Sequence, residues 1–91
     1  MQVYDKAVWH IDNGEEENEV LKRFELIFDF LAKKKMLNDE GKEIYNLGQD
    51  ESWAFYDRML TNAGKQFMEK EYNHLLTLSL ENLRQELKTL Q

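Results

Sequence analysis

The sequence predicts an all-α fold: a small bundle of four to five helices, with a long central helix at about residues 15–35 and a long or kinked C-terminal helix. Apolar residues recur at three- and four-residue steps, as they do on one face of a helix. The 91 residues contain no proline, where average usage would give about four or five, and proline breaks helices. This length allows one domain, residues 1–91.

The N-terminal stretch, residues 1–12, is compatible with two structures. Its apolar residues fit helical spacing, but residues 8–11 (VWHI) also fit a strand. A lone strand needs a partner, and the sequence offers no clear second strand. We therefore expect a short helix or an extended arm that packs through Trp9 and ends at the turn-forming residues 12–14 (DNG).

The central helix is the clearest element in the sequence. It begins with the acidic residues of the run EEENE at 15–19 and ends with the lysines at 33–35, and both charges complement the helix dipole. Leu26 and Phe30 widen its apolar stripe beyond one face, so we expect neighbours on two sides and a central position in the fold. The stripe consists of Val20, Leu21, Phe24, Ile27, Phe28 and Leu31.

Two similar phrases follow, MLNDEGK at 36–42 and MLTNAGK at 59–65. Asn38 and Thr61 stand directly after a leucine in each phrase, and both residue types are good helix N-caps. We interpret each phrase as a corner at which one helix ends and a polar cap opens the next. The four shared residues are also compatible with chance similarity, so they do not establish an internal duplication.

The glycines of these phrases, Gly41 and Gly64, fall about three residues inside each new helix. Glycine in a helix costs about 0.5–1 kcal/mol relative to alanine, so a compensating contact is expected. We expect the preceding helix or a bulky aromatic side chain to lie against the glycine backbone. The alternative is that each glycine belongs to the turn itself and the helix starts slightly later.

Two short helices are expected between the corners. The first covers about residues 39–47 and ends at Gly48, a plausible C-terminal cap. The second starts near Asp50 and carries Trp53, Tyr56, Met59 and Leu60 on one face.

The C-terminal segment starts at Thr61 and contains two overlapping leucine patterns. Alternating leucines at 76–80 fit a strand, whereas the longer series to Leu90 fits a helix, and the longer pattern decides for helix. Thr77 and Ser79 allow a bend or a break, with Ser79 as the cap of a separate last helix. The helical series consists of Leu76, Leu80, Leu83, Leu87 and Leu90.

Composition limits the classes of function. A net charge of −6 disfavours nucleic acid, which is bound mainly through lysine and arginine. The chain has no cysteine, which excludes disulfides, thiolate catalysis and cysteine-based zinc sites. No run approaches the roughly 18 apolar residues of a membrane span, so we expect no membrane partner and a cytoplasmic location.

No pattern predicts a catalytic residue, a cofactor site or a metal site, and we expect no enzyme. Glu71 and His74 form a single Glu-x-x-His pair, whereas di-iron bundles use this pair twice. His10 and Asp12 lie beside a turn, where a histidine is usually structural or solvated.

The sequence therefore predicts a non-catalytic protein-interaction module with an acidic helical surface, such as a small inhibitor, an immunity-type protein or an adaptor. Its partner would be another protein, preferably a basic one. The alternative hypothesis is a homodimeric structural or regulatory protein assembled through the leucine-rich C-terminal helix. The candidate interaction residues are Glu15, Glu16, Glu17, Glu19, Leu83, Leu87 and Leu90.

Overall fold

A computed structural model describes residues 1–90 of the chain. The predicted all-α fold is confirmed only in that these residues are mostly helical: a small two-stranded sheet accompanies their five α-helices. In chain order the elements are β1 (Val3–Lys6), α1 (Ala7–Asp12), α2 (Glu17–Lys33), α3 (Asp39–Asn46), β2 (Ala54–Tyr56), a 3-10 turn (Asp57–Met59), α4 (Asn62–Leu75) and α5 (Leu80–Thr89).

The sheet corrects the prediction in two places. β1 pairs antiparallel with β2, Val3 lying opposite Tyr56 and Lys6 opposite Ala54, so residues 1–12 contain both a strand and a short helix. The prediction of a helix that starts near Asp50 is wrong, because residues 54–56 form a strand. A three-residue strand is too short to show a period in the sequence, and its partner lies some 50 residues away in the chain.

Trp9 also departs from the prediction. Its side chain does not anchor the N-terminal segment, because Trp9 is 52% exposed. The residue that α1 buries is Ala7, whose backbone N–H donates to the carbonyl of Trp53 at 2.9 Å and so extends the ladder of the sheet. The Lys6 ammonium lies 5.7 Å from the centre of the Trp9 ring, a cation–π contact at the surface.

Helix α2 is central, as its two-sided apolar pattern predicts. Phe28 packs its ring 4.7 Å from that of Trp53 and 4.8 Å from that of Phe55. On another side of the helix, Phe30 lies 4.9 Å from Phe67 of α4. The buried residues of α2 are Val20, Phe24, Ile27, Phe28, Phe30 and Leu31.

The two corners have the expected caps. The side chain of Asn38 accepts a hydrogen bond from the Gly41 N–H at 3.0 Å, and that of Thr61 accepts one from the Gly64 N–H at 3.2 Å. Each cap therefore satisfies a backbone N–H that has no partner within its own helix. The expected end of the first short helix is also confirmed, because Gly48 follows α3 with φ +87°.

The corners also pack on each other, and this explains their glycines. The Asn38 N–H donates to the Met59 carbonyl at 3.1 Å, and the Thr61 N–H donates to the Met36 carbonyl at 2.9 Å. These same carbonyl oxygens lie over the glycines: a Cβ on Gly41 would be 2.3 Å from the oxygen of Met59, and a Cβ on Gly64 would be 2.5 Å from that of Met36. The close approach is therefore confirmed, but the approaching group is a backbone carbonyl of the other corner. We call this reciprocal contact the corner pair.

The C-terminal leucine series is divided between two helices. α4 ends at Leu75, and α5 begins at Leu80 after a cap at Ser79, whose hydroxyl accepts from the Asn82 N–H at 3.2 Å. α4 runs antiparallel to α2, since its first half contacts Phe30 while its last carbonyls bind Arg23. Of the alternatives for residues 77–80, a bend or a break, the structure has the break, with Ser79 as the cap of the last helix.

Candidate functional site

The four acidic residues predicted to bind a partner are all exposed, but they differ in the hydrogen bonds they make. Glu16 caps α2, since its carboxylate accepts from the Glu19 N–H at 2.7 Å. Glu15 accepts a hydrogen bond from His10 Nδ1 at 2.9 Å. Glu17 and Glu19 are exposed in the first turn of α2. Charge at this end of α2 is therefore available to solvent mainly through Glu17 and Glu19.

The three leucines predicted to bind a partner do not lie on the surface that carries the acidic residues. Leu83 is fully buried and Leu87 is 6% exposed, and both belong to the core of this chain. Leu90 is half-buried and lines a groove with Phe30 and Lys34, near the end of α2. The 17 residues of α2 span about 25 Å at 1.5 Å per residue. Leu90 and the acidic start of α2 therefore form separate surfaces.

Sequence reasoning missed a polar cluster that joins three elements. The buried carboxylate of Asp5 in β1 accepts hydrogen bonds from His10 Nε2 of α1 at 2.7 Å and from the Tyr72 hydroxyl of α4 at 2.5 Å. The Lys6 N–H also donates to Asp5, at 2.8 Å. We call the set of Asp5, His10, Glu15 and Tyr72 the N-terminal junction. The only local signal for it is the five-residue spacing between Asp5, His10 and Glu15.

Burial, hydrogen bonds and neighbouring charges together shift the pKa values of His10 and Tyr72. Burial lowers the pKa of His10, but the hydrogen bonds to Asp5 and Glu15 and the charges of both carboxylates outweigh it, so the pKa is raised overall. Both ring nitrogens face carboxylates, and an imidazolium donates from both. Burial, followed by the charge of Asp5, raises the pKa of Tyr72 well above 10, so its hydroxyl stays a neutral donor.

A cavity of about 140 Å³ lies beside the junction. Arg23 lines it and donates to the carbonyls of Leu75 at 3.0 Å and Leu76 at 3.3 Å, and also to that of Leu78. These bonds hold the end of α4 against α2. The wall combines polar groups with an apolar surface, and its residues are His10, Glu15, Val20, Arg23, Phe24, Ile27, Tyr72 and Leu76.

The cavity wall brings charged side chains together with one hydroxyl group. The only hydroxyl in the cavity wall is that of Tyr72, and it is committed to Asp5. Within residues 1–90, no group of three or more carboxylate, imidazole or thiol side chains is arranged to hold a metal ion. The Glu-x-x-His residues do not act together: His74 lies 3.5 Å from the Glu86 carboxylate, and Glu71 lines the groove beside Leu90.

Comparison with known proteins assigns no relative. The chain matches no protein-family model, no curated protein and no solved structure. None of the helices in the described part of the chain has the length and apolar character needed to cross a membrane. Any account of function therefore rests on the residues of this chain.

Proposed function

We propose that this protein is a non-catalytic interaction module that binds a basic partner protein through its N-terminal end. The contact surface consists of Trp9 together with the exposed acidic residues Glu17 and Glu19, and we call it the acidic surface. Glu15 and Glu16 add negative charge at its edge. Leu83 and Leu87 support α5 from within the core.

The exposure of Trp9 is the observation that carries this proposal. A tryptophan that is 52% exposed leaves a large apolar ring in water, and tryptophan is enriched among the residues that dominate binding energy at protein interfaces. Trp9 belongs to the helix that precedes the acidic start of α2, and α1 packs against α2. An apolar centre surrounded by a polar rim is the usual organisation of such an interface.

The negative charge of the chain favours a basic protein as the partner. The chain carries −6 overall, and the first turn of α2 carries acidic residues without a cation among them. Surface charges of one sign speed association with a partner of the opposite sign and weaken binding when salt screens them. We therefore expect affinity to fall steeply as ionic strength rises.

The test starts from proteins that co-purify with this chain from its native cells, followed by titration of the purified partner. Trp9→Ala is expected to weaken binding on the order of thirtyfold, as for a central anchor residue. Glu17→Lys with Glu19→Lys is expected to weaken binding and to flatten its salt dependence. The matched control, Glu43→Lys with Glu51→Lys, reverses two exposed carboxylates outside this surface and should leave affinity unchanged. Equal losses in both double variants, or an affinity independent of salt, would contradict the proposal.

The alternative is a homodimer built on α5. Its apolar seam would need Leu83 and Leu87, which the chain's own core uses, so we favour the first function. Sedimentation at high protein concentration separates the two. A species of 11.0 kDa supports the monomeric module, whereas a species of twice that mass that Leu90→Glu dissociates would favour the homodimer.

A further inference from the structure

We propose that the cavity beside the N-terminal junction binds a small aliphatic monocarboxylate, which replaces Glu15 as the hydrogen-bond acceptor of His10. This site shares Glu15 with the edge of the acidic surface, but it does not rest on the proposed function.

The two carboxylates on His10 differ in how firmly they are held. Asp5 is 4% exposed and is bound at the same time by Tyr72 and by a backbone N–H. Glu15 lies on the connection between α1 and α2, its side chain is 48% exposed, and His10 is its partner. Asp5 therefore holds the imidazole through its Nε2 atom. Glu15, which binds Nδ1, is the acceptor that solvent and ligands are able to displace.

Displacement of Glu15 leaves a site with a defined charge. His10 would present its Nδ1–H to the cavity, which Arg23 also lines. Arg23 has five N–H groups, and three hydrogen bonds to the end of α4 leave donors for a ligand. Once Glu15 has turned away from the cavity, the groups that remain at the site are Asp5, with one negative charge, and His10 and Arg23, with one positive charge each, so one further negative charge balances them. A monoanion therefore fits better than a dianion such as phosphate.

The remaining wall selects the rest of the ligand. Val20, Phe24, Ile27 and Leu76 are apolar and line the same cavity, so they favour an aliphatic tail. The volume is about 140 Å³, close to the roughly 150 Å³ cavity that holds one benzene molecule. A cavity of this size limits the ligand to about four or five carbons, including the carbon of its single carboxylate.

The experiment uses isovalerate as the probe and isovaleramide as its neutral counterpart of the same shape. Each is titrated into the ¹⁵N-labelled full chain at pH 6, with chloride replaced to keep ionic strength constant. Isovalerate is expected to cause saturable shifts in the amides of α1, the first half of α2 and the end of α4, and isovaleramide is expected to cause none at the same concentration.

Variants locate the effect at the cavity. Glu15→Gln should tighten isovalerate binding on the order of three- to tenfold, since the competing acceptor loses its negative charge and holds His10 less strongly. His10→Gln should weaken it about tenfold, because a charge-assisted donor is lost. Glu43→Gln, which neutralises an exposed carboxylate of α3 outside the cavity wall, is the matched control and should leave isovalerate affinity unchanged.

Three results would overturn the inference: equal shifts from acid and amide, shifts spread over surface lysines, or no gain in affinity in Glu15→Gln. If Glu15→Gln does not fold, the contrast between isovalerate and isovaleramide on the wild-type chain decides alone.

Discussion

The corner pair and the N-terminal junction each tie together distant parts of the chain, but by different chemistry. The corner pair uses backbone hydrogen bonds and two carbonyls seated on Gly41 and Gly64. The junction uses a buried carboxylate, an imidazole and a phenol. The first contact is steric and holds no titratable group, whereas the second changes with pH and borders a cavity. The difference indicates which region serves the fold alone and which is equipped to respond to a ligand.

Alanine at the corner glycines should have the largest effect on stability. In most helices Gly→Ala stabilises by about 0.5–1 kcal/mol. At Gly41 and Gly64 the new methyl group would meet a backbone oxygen at 2.3 and 2.5 Å, so we expect destabilisation of about 3 kcal/mol or more. Urea denaturation of Gly41→Ala and Gly64→Ala measures it.

The control is Gly48→Ala, where no atom other than those of the adjacent residues lies within 4 Å of the added methyl group but φ is +87°. Its cost should be about 1–2 kcal/mol, from backbone strain alone. Stabilisation by alanine at either corner glycine would contradict the packing of the two corners on each other.

Loss of Asp5 should have the next largest effect. Asp5→Ala leaves the Tyr72 hydroxyl buried without an acceptor and takes one carboxylate from His10, for an expected loss of about 2–3 kcal/mol. Tyr72→Phe removes a single donor and should cost about 1–2 kcal/mol. The free energy of unfolding of both variants would be measured at pH 6. Equal stability of Asp5→Ala and wild type would mean that the junction does not hold β1 in place.

The pH dependence of stability should separate the two regions further. The pKa of folded His10 is raised above its ordinary value of 6.5. Its contribution is therefore complete below about pH 6.5 and is lost as pH rises through the folded pKa. We expect the free energy of unfolding to decline between about pH 6.5 and that pKa, and His10→Gln to remove the decline. Gly64→Ala should keep the decline, because the corner pair does not titrate.

Charge reversal at the acidic surface should have the smallest effect on stability. Glu17→Lys with Glu19→Lys opposes the dipole of α2 at exposed positions and should cost no more than about 1 kcal/mol. Its loss of partner binding would then reflect the surface and not unfolding. A thermal midpoint close to that of wild type checks this, and a collapse of the fold would remove the variant as a test of binding.

Local signals in the sequence were sufficient for α2 and for the caps that open α3 and α4, and they allowed the cap that opens α5. The stripe of α2, the caps at Asn38 and Thr61, and the cap at Ser79 each depend on residues within one or two turns. The strand at 54–56 was missed because it is short and its pairing with β1 is non-local. The same holds for the junction, in which Asp5 and Tyr72 are 67 residues apart.

The exposure of Trp9 was not predicted, because burial of an apolar residue depends on contacts between elements that are distant in the sequence. The residues of the acidic run are exposed, and their role in binding stays a prediction. The exposure of Trp9 depends on which face of α1 the sheet and α2 cover. Ala7 and Trp9 are both apolar and stand two positions apart, so the sequence does not reveal which one is buried. Burial of Leu83 and Leu87 likewise depends on where α5 returns along α2.

The most direct test of this account is the titration of His10, followed through its two ring nitrogens by NMR of the wild-type chain. We expect an imidazolium held between Asp5 and Glu15, with both nitrogens protonated at pH 6.5 and a titration midpoint above that value. A neutral ring at pH 6.5, with a midpoint at or below that pH, would contradict the charged junction and with it the proposed carboxylate site.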